Sequence, residues 1–115
     1  MKENTPTLVP ERLKAARNRL NLSKAEAARR IGLTAASYVR YESGDRSPSP
    51  QVIMSIAEKL DTSIAFLTGA TEDISPDTIT VRRDANPLFF DFIEFTQSAD
   101  EETLRRLLSY FRQLV

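Results

Sequence analysis

The sequence predicts an all-α protein: a five-helix bundle, a linker and a C-terminal helical hairpin. Three observations support that expectation. Apolar residues recur at three- and four-residue spacing through most of the 115 positions, the period of helices with one buried face. Serine, threonine, glycine and proline stand where those stretches begin and end, as helix caps do. Strand-like alternation occurs once and briefly, at Thr78-Ile79-Thr80-Val81.

Residues 1–9 lack periodicity and read as an N-terminal arm. Pro10 suits the first position of a helix, where its missing N–H costs nothing. Leu13, Ala16, Arg17 and Leu20 extend that helix to about residue 20. After the break at Asn21-Leu22, Ser23-Lys24-Ala25-Glu26 fits a capping box, with Ser23 as N-cap of a second helix. That helix runs to Ile31, where Gly32 supplies a left-handed residue. Thr34 caps a third helix from Ala35 to about Ser43, ended by Gly44. Ser49 and Pro50 open a fourth, with Val52, Ile53, Ile56, Ala57 and Leu60 as its apolar stripe. Ser63 opens a short fifth that closes at Gly69. Residues 71–86 are polar and read as a linker with room for one short strand. Residues 87–98 and 100–115 read as two helices, the second capped by Ser98 or Asp100, and the short gap between them suits an αα-hairpin.

Composition narrows the chemistry. Apolar residues make up 41% and charged residues 28%, a globular balance. No cysteine is present, which excludes disulfides, thiolate metal sites and cysteine nucleophiles. No histidine is present either, so the commonest general base and metal ligand is missing. Gly32, Gly44 and Gly69 are isolated and form no phosphate cradle. No apolar run approaches the ~18 residues of a membrane span, and no signal-peptide core opens the chain. Catalysis, a cofactor and a metal are therefore not expected.

The net charge of zero hides an asymmetry. Residues 1–70 hold 11 Lys/Arg against 7 Asp/Glu, a net of +4, whereas residues 71–115 hold 5 against 9, a net of −4. A basic front and an acidic rear suggest a two-part design.

Two short helices around a tight G-x-[ST] turn, followed by a third helix and a proline loop, have the layout of a helix-turn-helix DNA reader. The stretch Leu22-Ser23-Lys24-Ala25-Glu26-Ala27-Ala28-Arg29-Arg30-Ile31-Gly32-Leu33-Thr34, with Tyr41-Glu42-Ser43-Gly44 and Pro48-Ser49, closely resembles the lambda-repressor and Cro-like (xenobiotic-response-element type) helix-turn-helix family. The resemblance covers about residues 8–70 and not the rear of the chain. It implies a five-helix DNA-binding bundle over residues 10–70, with the third helix in the major groove.

The resemblance also assigns roles. Ala35, Ala36, Val39, Arg40 and Ser43 share the outward face of the third helix, with Ser37 beside them, while Tyr38 and Tyr41 point inward. Val39 is either a stray surface valine or, with Ala35 and Ala36, a contact for thymine methyl groups. Arg40 could read a guanine edge or bind a phosphate. The family often has glutamine or arginine where Ala35 and Ala36 stand, which shifts weight towards methyl contacts and DNA shape. Lys24, at a helix N-terminus, is placed for phosphate, and Thr34, Ser43 and Arg46 flank the recognition helix as further phosphate contacts. Asp45 would oppose phosphate. Arg29 and Arg30 are either solvated charges or DNA contacts. Arg17 and Glu42 match the family's salt bridge between the first and third helices. Ala27 replaces a usual leucine and Tyr38 a smaller isoleucine, a volume exchange.

Residues 87–115 hold six of the nine aromatic residues, more apolar surface than two short helices enclose. Phe89, Phe92, Phe95, Leu104, Leu107, Leu108, Phe111 and Leu114 are therefore expected to form a dimer interface. The leading functional reading is a sequence-specific transcriptional regulator, a homodimeric repressor of bacteria or their mobile elements, bound to double-stranded DNA at an inverted-repeat operator. The alternative is an antitoxin-like chain whose rear helices bind a partner protein while the front autoregulates its promoter. Either would reside in the cytoplasm, on the nucleoid. Some repressors of this family carry a self-cleaving serine–lysine domain, but the 45 residues after Ala70 are too few and contain no lysine.

Overall fold

The computed structural model describes residues 6–115. The chain divides after Thr78 into two compact units. Every regular element among the described residues is helical, and the Thr78–Val81 alternation forms no strand. No helix among the described residues is long and apolar enough to cross a membrane.

The front unit contains α1 (Pro10–Arg19), α2 (Lys24–Ile31), α3 (Ala35–Ser43), α4 (Pro50–Lys59) and α5 (Ile64–Leu67). Local chemistry sets most of the boundaries. The Ser23 hydroxyl accepts from the Glu26 amide while the Glu26 carboxylate accepts from the Ser23 amide, a complete capping box. Thr34, Ser49 and Ser63 cap α3, α4 and α5 through amides three residues on. Asn21 at φ 58° and Asp61 at φ 59° turn the chain out of α1 and α4, because their short polar side chains tolerate the left-handed region.

The core gathers one face from each helix. Leu13 and Ala16 of α1, Ala27, Ala28 and Ile31 of α2, Tyr38 and Tyr41 of α3, and Ile53, Ile56 and Ala57 of α4 meet Leu60, Phe66 and Leu67. Tyr38 and Ala27 are both fully enclosed, so the large ring lies in the same core as the small methyl.

Two margins of this unit differ from the sequence reading. Residues 1–5 of the expected arm lie outside the described residues. Leu8 and Val9, also read as arm, belong to the bundle: Leu8 is a buried core residue, and the Val9 amide donates to the Leu67 carbonyl at 2.8 Å. An apolar side chain thus finds cover in the core and a backbone donor an acceptor at the end of α5, which no local pattern reveals.

The start of the expected linker is likewise held down. Arg12 donates to the Thr71 carbonyl at 2.6 Å and pairs with Glu72 at 3.0 Å, with its guanidinium 4.6 Å from the Phe66 ring centre. Thr62 donates to the Ile74 carbonyl at 2.5 Å. Arg19 also reaches that carbonyl and, on its other side, the Asp61 carbonyl. Ile74 packs against the core.

The rear unit contains α6 (Pro87–Thr96) and α7 (Glu101–Leu114). Pro87 occupies the first turn of α6. Asp100 caps α7, accepting from the Thr103 amide at 2.7 Å. The helices meet through Phe92 and Phe111, whose rings stand edge to face at 5.6 Å, a favourable aromatic geometry. No residue of either helix is buried.

Arg12→Ala should lower the stability of the front unit by about 1–3 kcal/mol through lost charged hydrogen bonds. It should also open residues 71–74 to limited proteolysis while the helices remain folded. An unchanged cleavage rate would show that Thr62 and Arg19 hold the segment without it.

Candidate nucleic-acid interface

The interface is built from α2, a tight turn and α3. Gly32 ends α2 at φ 95°, a backbone conformation that side chains with a Cβ rarely adopt. Only Leu33 then separates it from the Thr34 cap. A two-residue reversal of this kind sets α3 directly across α2.

Arg17 fixes the far end of α3. Its Nε and Nη2 donate to the two carboxylate oxygens of Glu42 at 3.0 and 2.8 Å. Its Nη1 donates to the Leu22 carbonyl at 2.8 Å. The pair is largely buried, with side-chain exposures of 11% and 5%. Burial raises the Glu42 carboxyl, but the Arg17 hydrogen bond, Tyr38 and the charges of Arg17 and Lys24 outweigh it, so the group ends below its ordinary value. Burial likewise pushes the Tyr38 phenol up.

With one side of α3 held by Tyr38, Tyr41 and Glu42, the other side faces outward. Ala35, Ala36, Val39, Arg40 and Ser43 are exposed, and Ser37 is half-buried. Lys24 at the start of α2, Thr34 before α3 and Arg46 after it are exposed as well. Lys24, Arg40 and Arg46 enter no salt bridge among the described residues. Arg29 and Arg30 are exposed at the end of α2. The hydroxyls behave differently from the cations. Thr34 Oγ1 donates to Ser37 Oγ at 3.0 Å and accepts the Ser37 amide at 3.1 Å. Ser43 Oγ donates to the Arg40 carbonyl at 3.1 Å. Each of these two hydroxyls has one proton, so a phosphate, which only accepts, would have to displace an existing bond.

Residues 13–67 match the helix-turn-helix family of lambda-repressor and Cro type. The front unit belongs to that family. Over 61 residues the chain is 38% identical to the transcriptional repressor RstR of the cryptic phage CTXphi of Vibrio cholerae, covering 53% of this chain and 54% of that protein. A helix-turn-helix transcriptional regulator of Haemophilus influenzae is 32% identical over 101 residues, covering 88% of this chain and 41% of the relative. The regulator YqaE of Bacillus subtilis is 33% identical over 57 residues, 50% of this chain and 49% of its own. The chain thus spans about half the length of these curated relatives. Among solved structures, a chain of the SinR–SinI protein complex superposes with a TM-score of 0.51 at 20% identity. That match covers 92% of this chain and 96% of the other, and is a likeness of fold.

Arg12 and Arg19 match no motif in the sequence. Both hold the backbone of residues 71–74 in place. The cue available in the sequence was an arginine pair on α1 seven residues apart, which places both on one side of a helix.

Glu42→Gln should cost about 3–5 kcal/mol, because it leaves a buried guanidinium without its counter-charge. The Glu42 carboxyl sits below its ordinary 4.5 in the folded chain, so its stabilisation is complete above that pH and is lost as pH falls through the lower folded value. Denaturation against pH should show this acid-side loss in the native chain and its reduction in Glu42→Gln. Equal acid slopes would place the titration elsewhere.

Proposed function

We propose that this protein is a sequence-specific DNA-binding transcriptional regulator, a homodimeric repressor that lays α3 in the major groove of an inverted-repeat operator. The observation that carries this reading is the two-sided character of α3. One face is locked by buried tyrosines and the Arg17–Glu42 pair. The other is exposed, as are the cations Lys24, Arg29 and Arg30 of α2, Arg40 of α3 and Arg46 after it. A rigid helix accompanied by exposed cations suits a ligand with a regular array of phosphates. The relatives named as repressor and regulators support the same reading.

In this arrangement Lys24 and Arg46 meet phosphates and Arg40 reads a base edge, with Ala35, Ala36, Ser37 and Val39 close to the bases. Thr34 and Ser43 would contribute to phosphate binding only by exchanging their present hydrogen bonds. The rear unit supplies the dimer. Phe89, Phe92, Leu104, Leu108 and Phe111 are 38–50% exposed, and Phe95 and Leu114 are 86% and 64% exposed. Leu107, on the same stripe, is half-buried. Fully burying each such side chain is worth about 1.5–3 kcal/mol. A two-fold partner would also bring two recognition helices to one turn of duplex, about 34 Å apart. An antitoxin-like role would place a different protein on the same rear surface.

Genomic DNA captured by the full chain and sequenced should yield an inverted repeat. Affinity for it should fall with salt at a log–log slope of about −0.9 per phosphate contact, and a flat dependence would overturn the reading. Arg40→Ala should lose about 1–3 kcal/mol of discrimination at one base pair per half-site, whereas Lys24→Ala should weaken all duplexes alike. Sedimentation of the chain at tens of micromolar should give a dimer, and deletion of residues 87–115 a monomer. A monomeric full chain that sediments with a second protein from its source cells would favour the antitoxin-like role.

A further inference from the structure

The exposed face of α3 has few hydrogen-bonding groups to offer. Thr34 and Ser43 have committed their hydroxyl protons to Ser37 and to the Arg40 carbonyl. Arg40 is left as the one long polar side chain on the face, and it makes no side-chain hydrogen bond or ion pair among the described residues. What remains outward is apolar and small: the methyls of Ala35 and Ala36, and Val39, which is 43% exposed. These three lie at i, i+1 and i+4, so they form one continuous strip along the first turn and a half of the helix.

Each base pair shows a distinct edge in the major groove, and thymine alone among the four standard bases presents a methyl group there. A strip of methyls without donors or acceptors can distinguish that edge from the others only by apolar contact. It also lets the α3 backbone approach the bases closely, since no long side chain stands between them.

We infer that α3 reads DNA chiefly through the C5 methyl groups of thymines, with Arg40 as the one long polar side chain that reaches a base. The inference rests on the DNA-binding reading above and specifies its ligand: duplex whose half-sites carry consecutive thymine methyls under Ala35, Ala36 and Val39. Guanine, cytosine and adenine at those positions offer no methyl for the strip to pack against, so the apolar contact is lost.

The test uses the full chain and the operator duplex selected from genomic DNA. Deoxyuridine replaces thymine one position at a time, which removes the methyl and leaves base pairing intact. At two or three adjacent positions per half-site, affinity should fall about fourfold for each methyl lost. Val39→Ala, an exposed substitution that should leave thermal unfolding unchanged, should abolish sensitivity at one of those positions and preserve it at the others. Full affinity for a duplex with every thymine replaced would overturn methyl reading while leaving DNA binding intact. Failure to select any duplex would overturn both.

Discussion

The guanidinium of Arg17 is the point on which the front unit turns. It joins α1 to the end of α3 through both carboxylate oxygens of Glu42 and to the α1–α2 turn through the Leu22 carbonyl. A planar fork of fixed donors can hold a carboxylate and a carbonyl at once. Lysine, with a single ammonium on a flexible stem, would keep the charge and lose the angle between them. Once α3 is tied at its C-terminal end and capped by Thr34 at the other, its exposed face has a fixed direction. The orientation of that face depends on an interaction buried behind it.

The same distinction among cations explains how a chain with no net charge can present a basic surface. Arg12, Arg17 and Arg19 all lie on α1, and all three are tied to acceptors of the chain itself. The cations of α2, of α3 and of the loop after it remain exposed. Formal charge counts these groups equally. Geometry divides them into those that hold the fold and those that project an electric field, and a ligand of phosphates responds to the second group.

The rear unit poses a different problem. On α7 the apolar residues form one stripe, while Glu101–Arg105 and Glu102–Arg106 pair across one helical turn on its exposed side. On α6 the apolar residues spread over more than one face. Phe92 meets Phe111 of α7, yet Leu88 and Phe95, seven residues apart, remain 84% and 86% exposed. A single neighbouring helix covers one side of such an element and leaves the other open. The proposed dimer would cover that open side, since isologous pairing buries the same side chains twice.

Much of this protein was legible in its sequence because the signals are local. The capping box of Ser23 and Glu26, the caps at Thr34, Ser49, Ser63 and Asp100, and the left-handed Gly32 and Gly44 act within about four residues. They appear in the letters as they do in space. The inward direction of Tyr38 and Tyr41 follows from the helical period in the same way. What the letters could not supply were contacts made across long stretches of chain. Arg12 finds Thr71 and Arg19 finds Ile74, 59 and 55 residues away, and Leu8, read as part of an arm, ends in the core. Residue type specifies only that an arginine needs acceptors and a leucine needs cover. Which acceptor and which cover depend on how five helices pack, and that packing also decides which cations are left to face a ligand.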